Sequence, residues 1–233
     1  MPSKRRNVKR RSTARSARKR SGPPTYLLIG AAVLVALIAV ALIALLGQGS
    51  GSPDAPSATA PVEISYGAAD APVVVVEYAD FQCPYCRQFA LGPEKQLRQD
   101  YADKGLVRFV YRNFPFIGQE STWAAQAAWC ANDQGRFWDY HDKLYQEQGA
   151  ENKGAFAQDN LKRFAAELGL DTAQFNACVD SDKYASRVQG EFDEAQRRRI
   201  DSTPTLLVDG QLVPNGSSYQ VLQAAIDAAL KSP

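Results

Sequence analysis

The spacing of apolar and polar positions divides the chain into four stretches. Residues 1–25 are polar and basic. Residues 26–46 carry no charge and are almost wholly apolar. Residues 47–61 are rich in Gly, Ser, Ala and Pro. From residue 62 onward apolar positions recur with strand and helix periods. Four valines in a row, Val73 to Val76, followed by Glu77 and Tyr78, read as a strand buried on both faces. A helical pattern runs from about residue 86 to 101, with Phe89, Leu97 and Tyr101 on one side and Gly92-Pro93 placed to kink it. Residues 106–111 read as a second strand, and residues 62–66 as a short edge strand. Strand, helix and strand predict a right-handed crossover between parallel strands.

From about residue 119 to 200 the period is helical throughout. Trp123, Ala127 and Cys130 share a face, and Leu161, Phe164, Ala165 and Leu168 follow helical spacing. Asp171 is placed to cap a short helix carrying Phe175, Cys178 and Val179. Tyr184, Val188, Phe192 and Ala195 stripe a longer one. About eighty residues are too many for a loop, so the pattern predicts an all-helical insertion. Residues 202–208 then read as a strand, Asp209-Gly210 as a two-residue hairpin turn and residues 211–213 as the returning strand. Ser218 is placed to cap a last helix striped by Val221, Leu222, Ala225, Ile226 and Ala229. The result is an α/β fold, β-α-β, helices, β-β-α, over residues 62–233.

Charge changes the reading of the N-terminus. Residues 1–20 contain ten Lys or Arg and no acid, which leaves 17 of the chain's 27 basic residues against 25 acidic ones elsewhere. Such a run suits nucleic acid or anionic lipid. The next segment decides for lipid. Twenty-one residues, 26–46, rise about 31 Å as a helix, the thickness of a bilayer core. A cleavable signal has a shorter apolar region; Ala58-Thr59-Ala60 resembles a cleavage site, but Pro61 would follow the cut. The expectation is a single-pass cell-membrane anchor, its basic tail cytoplasmic by the positive-inside rule and its C-terminal part outside. Residues 47–61 form a flexible tether, and nucleic acid is not an expected partner.

The chemistry lies in Cys83-Pro84-Tyr85-Cys86, at the carboxyl end of the valine strand. Pro84 suits the first helical position, which makes Cys83 the N-cap. A sulfur there faces unpaired N–H groups and the positive end of the helix dipole. Both favour thiolate, lowering the pKa from about 8.5 into the range of roughly 3.5–7.5. Cys86, one turn in, is placed to close a disulfide with it. The competing readings are half a zinc site and two core thiols. A zinc half-site usually sits on a turn between short strands, no second C-x-x-C exists, and His141 is the sole histidine. Placed among Phe137, Trp138, Tyr140 and Tyr145, His141 reads as a packed or capping residue. Asp80 reads as exposed turn chemistry. No metal or bound cofactor is called for.

Three features together resemble the DsbA-like thioredoxin-fold disulfide oxidoreductases. They are the Phe81-x-Cys83-Pro84-Tyr85-Cys86 helix start, the late Thr203-Pro204-Thr205 before an apolar strand, and the helical insertion between them. The likeness covers roughly residues 62–231. It implies a cis Pro204 facing the C-x-x-C, although an ordinary trans proline at a strand start is the plainer reading. It implies that Thr203 and Pro204, with Pro84 and Tyr85, form the shelf for a substrate strand. It places the family's buried acid on Glu77, which would move protons to and from Cys86; the alternative is a carboxylate that reaches solvent. It also implies a structural Cys130–Cys178 bond, against two free thiols or a relay to Cys83.

The activity implied is dithiol–disulfide exchange on exported proteins with cysteines. Cys83 is attacked and Cys86 resolves, with reoxidation by a quinone-linked membrane partner. Reductase or isomerase activity on the same fold is the alternative, and a tethered non-catalytic chaperone a further one. Pro-Tyr stands where strongly oxidising members have Pro-His, so a less extreme potential is expected.

Overall fold

The computed structural model describes residues 63–232. The expected tail, transmembrane helix and linker lie outside the described residues. Among the described residues no helix is long and apolar enough to cross a membrane. The elements are β1 (Ser65–Tyr66), β2 (Val73–Ala79), α1 (Pro84–Leu91), α2 (Pro93–Leu97), a π-helical turn (Arg98–Ala102) and β3 (Val107–Asn113). The insertion follows as α3 (Gln119–Asn132), α4 (Phe137–Gln146), α5 (Gln158–Glu167), α6 (Thr172–Asp180) and α7 (Ala185–Arg197). The chain closes with β4 (Thr205–Val208), β5 (Gln211–Leu212) and α8 (Tyr219–Ala229).

The five-stranded sheet has the order β1-β3-β2-β4-β5. β2 and β3 are parallel, as the crossover requires, with Glu77 opposite Tyr111. β4 runs antiparallel to β2 with Glu77 opposite Leu206. β2 is thus the central strand, and the C-x-x-C leaves its carboxyl end, where open α/β sheets hold their chemistry.

Alternation along the strands sends Val73, Val75, Glu77 and Ala79 to one face. There Val73, Val75, Val107, Phe109, Leu206 and Val208 pack against Phe89, Leu97, Leu222 and Ile226. On the other face Tyr78 and Leu207 meet Phe114 and Ala195. Val74 and Val76 are only half-buried, so the expected burial on both faces is incomplete: α7 covers that face near its carboxyl end. The insertion builds the largest core, from Trp129, Tyr140, Leu144, Phe156, Phe164 and Phe175 among others.

Local chemistry explains most boundaries. Asp171 accepts from Ala173 N and Gln174 N at 2.9 and 3.0 Å, the N-cap that its position predicts. Asp209 and Gly210 both have positive φ, 47° and 79°, the type I′ hairpin geometry. Ser218 precedes α8, but its hydroxyl meets Gln220 Oε1 instead of capping the backbone. The helix expected as one kinked piece to Tyr101 is three. Gly92-Pro93 breaks it, because Pro93 has no N–H to continue the ladder, and a π-helical turn follows at Arg98.

Candidate active site

Cys83 is the N-cap of α1, with φ −71° and ψ 121° and Pro84 at the first helical position. Its approach is fixed by Asp80, which accepts from Gln82 N at 2.8 Å and from Ile117 N at 3.0 Å. Asp80 is therefore buried, not the exposed turn residue the sequence suggests. Its two carboxylate oxygens tie the C-x-x-C loop to the start of the insertion, a use that only the fold creates. Gln148 completes the clamp by donating to Phe81 O at 2.7 Å and Cys83 O at 3.0 Å.

The two sulfurs differ sharply. Cys83 is 6% exposed and Cys86 fully buried, and both are free thiols. As a thiol, Cys83 donates to Thr203 O at 3.3 Å. As a thiolate it receives from the Cys86 thiol, which lowers its pKa most, then from Thr203 and from the N–H groups of Cys86 and Tyr85. Together these outweigh burial and bring it to about 6. The helix start contributes as expected, but the largest cause is the neighbouring thiol. Burial pushes Cys86 well up, and the proximity of Cys83 and Glu77 adds to it.

The Thr203-Pro204 peptide bond is cis, and its Thr203 carbonyl touches the attacking sulfur. Thr203 Oγ1 is buried without a partner in this dithiol form, so it is free to turn onto a thiolate. A groove of about 330 Å³ beside it is lined by Tyr85, Thr203, Pro204, Leu212, Val213 and Asn215 among others. Pro84 is exposed, and the Tyr85 ring is 68% exposed.

Glu77 does not reach solvent. It is fully buried, and neither carboxyl oxygen has a hydrogen-bond partner. Burial raises its pKa well above the ordinary carboxylate value; the charges of Glu94 and Cys83 push the same way, and Arg98 opposes them. Burial, the largest of these causes, favours the neutral form of the Glu77 carboxyl. Tyr111, opposite Glu77 in the β2–β3 register, and Tyr145 are fully buried, and their hydroxyls meet at 3.1 Å. Both respond to Glu77 and Cys86 in turn.

Cys130 and Cys178 form a disulfide, Cα–Cα 5.9 Å, that joins α3 to α6 within the insertion. His141 is packed among aromatic rings, as expected, but it also faces two carboxylates. Among the described residues no group of three or more His, Cys, Asp or Glu could hold a metal ion. Sequence reasoning missed Gln148, Glu94 and Thr203 Oγ1. No local signal marks Gln148, which acts 65 residues from the loop it holds.

This geometry matches known proteins. The family model described as Thioredoxin matches residues 59–228. A probable disulfide bond formation protein D of Bacillus anthracis is 34% identical over 171 residues, 72% of this chain and 78% of that protein. The crystal structure of oxidised BdbD from Bacillus subtilis superposes with TM-score 0.69 at 29% identity, covering 73% of this chain and 94% of that one. DsbA of Chlamydia trachomatis shares the fold, TM-score 0.64 at 18% identity, over 76% of this chain and 96% of that one. Matched by this family model over residues 59–228 and by the disulfide bond formation protein over 72% of its length, the chain belongs to the DsbA-like thiol:disulfide oxidoreductases of the thioredoxin family.

Proposed function

We propose that the protein oxidises dithiols in exported proteins through Cys83 and Cys86. The asymmetry of the two sulfurs carries this reading: Cys83 ionises at about 6, while Cys86 is kept neutral by burial. A low-pKa sulfur leaves readily from a mixed disulfide, which favours passing the disulfide to the client. A client thiolate attacks Cys83 of the oxidised pair and displaces Cys86. The client's second thiolate then attacks its own sulfur and releases Cys83 as thiolate. Glu77 supplies and removes the proton of Cys86. Thr203, Pro204, Pro84 and Tyr85 form the shelf on which the client segment lies, and Cys130–Cys178 is structural.

The value of about 6 lies above the roughly 3.5 of the strongest oxidants of this fold. It agrees with a neutral Tyr85 in place of a cation and supports a less extreme potential. Membrane anchoring through residues 26–46, a catalytic domain outside the cell membrane and a quinone-linked reoxidising partner complete the proposal. They rest on the charge and hydropathy of the N-terminus and on the disulfide-forming relatives.

Thiol trapping of Cys83 and Cys86 in intact cells tests the direction. An oxidised pair at steady state, with mixed disulfides accumulating in Cys86→Ser, supports an oxidase. A reduced pair overturns it in favour of a reductase or isomerase.

A further inference from the structure

Three arginines in a row, Arg197 to Arg199, stand at the end of α7, and all three are exposed. Nowhere else in residues 63–232 do three like charges follow one another, and acids outnumber bases outside the N-terminal tail. A helix dipole favours cations in its last turn, which gives Arg197 and Arg198 a structural use. Arg198 Nε also reaches Glu194 Oε1 at 3.0 Å. Arg199 is different. It lies past the helix end with φ 60°, where Arg199 N donates to Gln196 O and Ile200 N to Ala195 O, both at 2.9 Å. That closure usually takes glycine or asparagine. Of the five non-glycine residues with positive φ among the described residues, four are Asn or Asp, which tolerate it; the arginine is the exception. Its guanidinium has neither ion pair nor hydrogen bond among the described residues. The helix gives no reason for an unpaired cation at a position that suits glycine.

Its position supplies one. Arg198 and Arg199 line a cleft of about 350 Å³, together with Ile200, Asp201 and Leu207 among others. Ser202, Thr205 and Leu212 line this cleft and also the groove beside Pro204, so the two adjoin. Thr205 Oγ1 donates to Ser202 O at 2.7 Å and ties their shared wall together. Leu212, 62% exposed, gives that wall an apolar surface. Chain length bounds the separation. The four steps from Arg199 to Thr203 span at most about 14 Å, and Thr203 O is 3.3 Å from Cys83 Sγ. An extended client rising about 3.3 Å per residue covers that distance in about four residues. Two acids lie close by, Asp201 in the cleft wall and Glu194 on α7. Ser202 Oγ turns to the first at 3.2 Å and Arg198 to the second, and neither acid pairs with Arg199.

We propose that this cleft is a subsite for an acidic side chain of the client, with Arg199 as its specificity-determining residue. This rests on the exchange reading above. A client segment on the Pro204 shelf, its cysteine at Cys83, places an Asp or Glu about three to five residues away against the Arg199 guanidinium. The contact acts on capture of the client and takes no part in the sulfur chemistry. Favoured clients carry acid on one side of the reacting cysteine and gain nothing from acid on the other.

Dithiol peptides of one composition test this on the oxidised full-length protein, with a single Glu moved from about five residues before the cysteine pair to about five after it. Every peptide has the same net charge, so attraction or repulsion by the protein as a whole cancels. The expected kcat/KM is about two- to fivefold higher with Glu three to five residues out on one side than at the mirror position. That preference fades as salt is raised from about 0.02 to about 0.5 M. Arg199→Gly, which suits the left-handed backbone, is expected to bring the ratio to about one while the urea midpoint holds or rises. Arg199→Lys keeps the preference and Arg199→Glu reverses it. Equal rates at all positions overturn the proposal, as does a preference that Arg199→Gly leaves intact. If a variant does not fold, the positional series on the unmutated chain decides alone, and a preference that survives high salt is not ionic and overturns the subsite. A chain that oxidises none of the peptides sinks the oxidase reading instead. The preference is then read from the yield of mixed disulfide between Cys86→Ser and the same peptides in activated-disulfide form, where an even yield overturns it.

Discussion

Replacing Cys86 by alanine removes the largest of the groups that hold Cys83 at about 6. That thiol donates to the Cys83 thiolate and gives nothing comparable to the neutral sulfur. Its loss therefore destabilises the charged form and raises the pKa. A hydrogen bond to a charged group is worth about 1.5–3 kcal/mol. One pKa unit corresponds to about 1.36 kcal/mol, so the lift is about 1–2 units, to about 7–8. At pH 7 the thiolate fraction then falls from about 90% to roughly 10–50%. Thr203 and the N–H groups of Tyr85 and Cys86 survive the change, which keeps the value short of an ordinary thiol. Cys86→Ser retains an O–H donor and is expected to stay closer to wild type. The assay is thiolate absorbance near about 240 nm against pH on reduced protein, with Cys83→Ser as the blank, and iodoacetamide alkylation rates as a second reading of ionisation. A Cys86→Ala midpoint still at about 6 would refute the assigned cause and return the effect to Thr203 and the N–H groups of the helix start.

Three further outcomes are expected. The double change Cys130→Ala and Cys178→Ala opens a loop with sequence separation 48 and should cost about 4 kcal/mol in urea denaturation, with exchange chemistry retained in the folded fraction; an unchanged midpoint would refute the structural role. In the reduced protein the folded-state pKa of Cys83 is depressed from 9.0 to about 6. Its contribution is therefore complete above about pH 9 and lost as pH falls through about 6. Reduced protein should gain on the order of 1 kcal/mol over oxidised protein between pH 5 and 7, and a flat difference across that window contradicts the shift. Gln148→Ala strands the carbonyls of Phe81 and Cys83. It should cost about 1–2 kcal/mol and speed amide exchange around residues 82–86, whereas unchanged exchange there would show that the clamp is dispensable.

The elements that were legible in the sequence are those written locally. The valine run, Pro84 behind Cys83, the Asp209-Gly210 turn and the Asp171 cap each state their conformation within a few residues. Gly92-Pro93 signals a disturbance there, but as a kink, where the structure has a break. What escaped depends on distant pairing. Asp80 looks like a turn carboxylate until Ile117 N is brought to it. Gln148 has no periodic or motif signal at all. The site acid Glu77 could be placed by resemblance, but its isolation from every hydrogen-bond donor is a property of the assembled core. His141 shows the same limit. Its aromatic neighbours along α4 are visible in the sequence and correctly suggest packing. Glu94 comes from another helix and is invisible there.

Both outer members of the sheet, β1 and β5, are only two residues long. Unpaired backbone along a border invites another extended chain to dock. If its clients are exported chains that have yet to fold, as proposed above, such strands come near it often. Such short margins leave little backbone for an extended chain to pair with, which would keep client contact at the end of the sheet that carries Cys83.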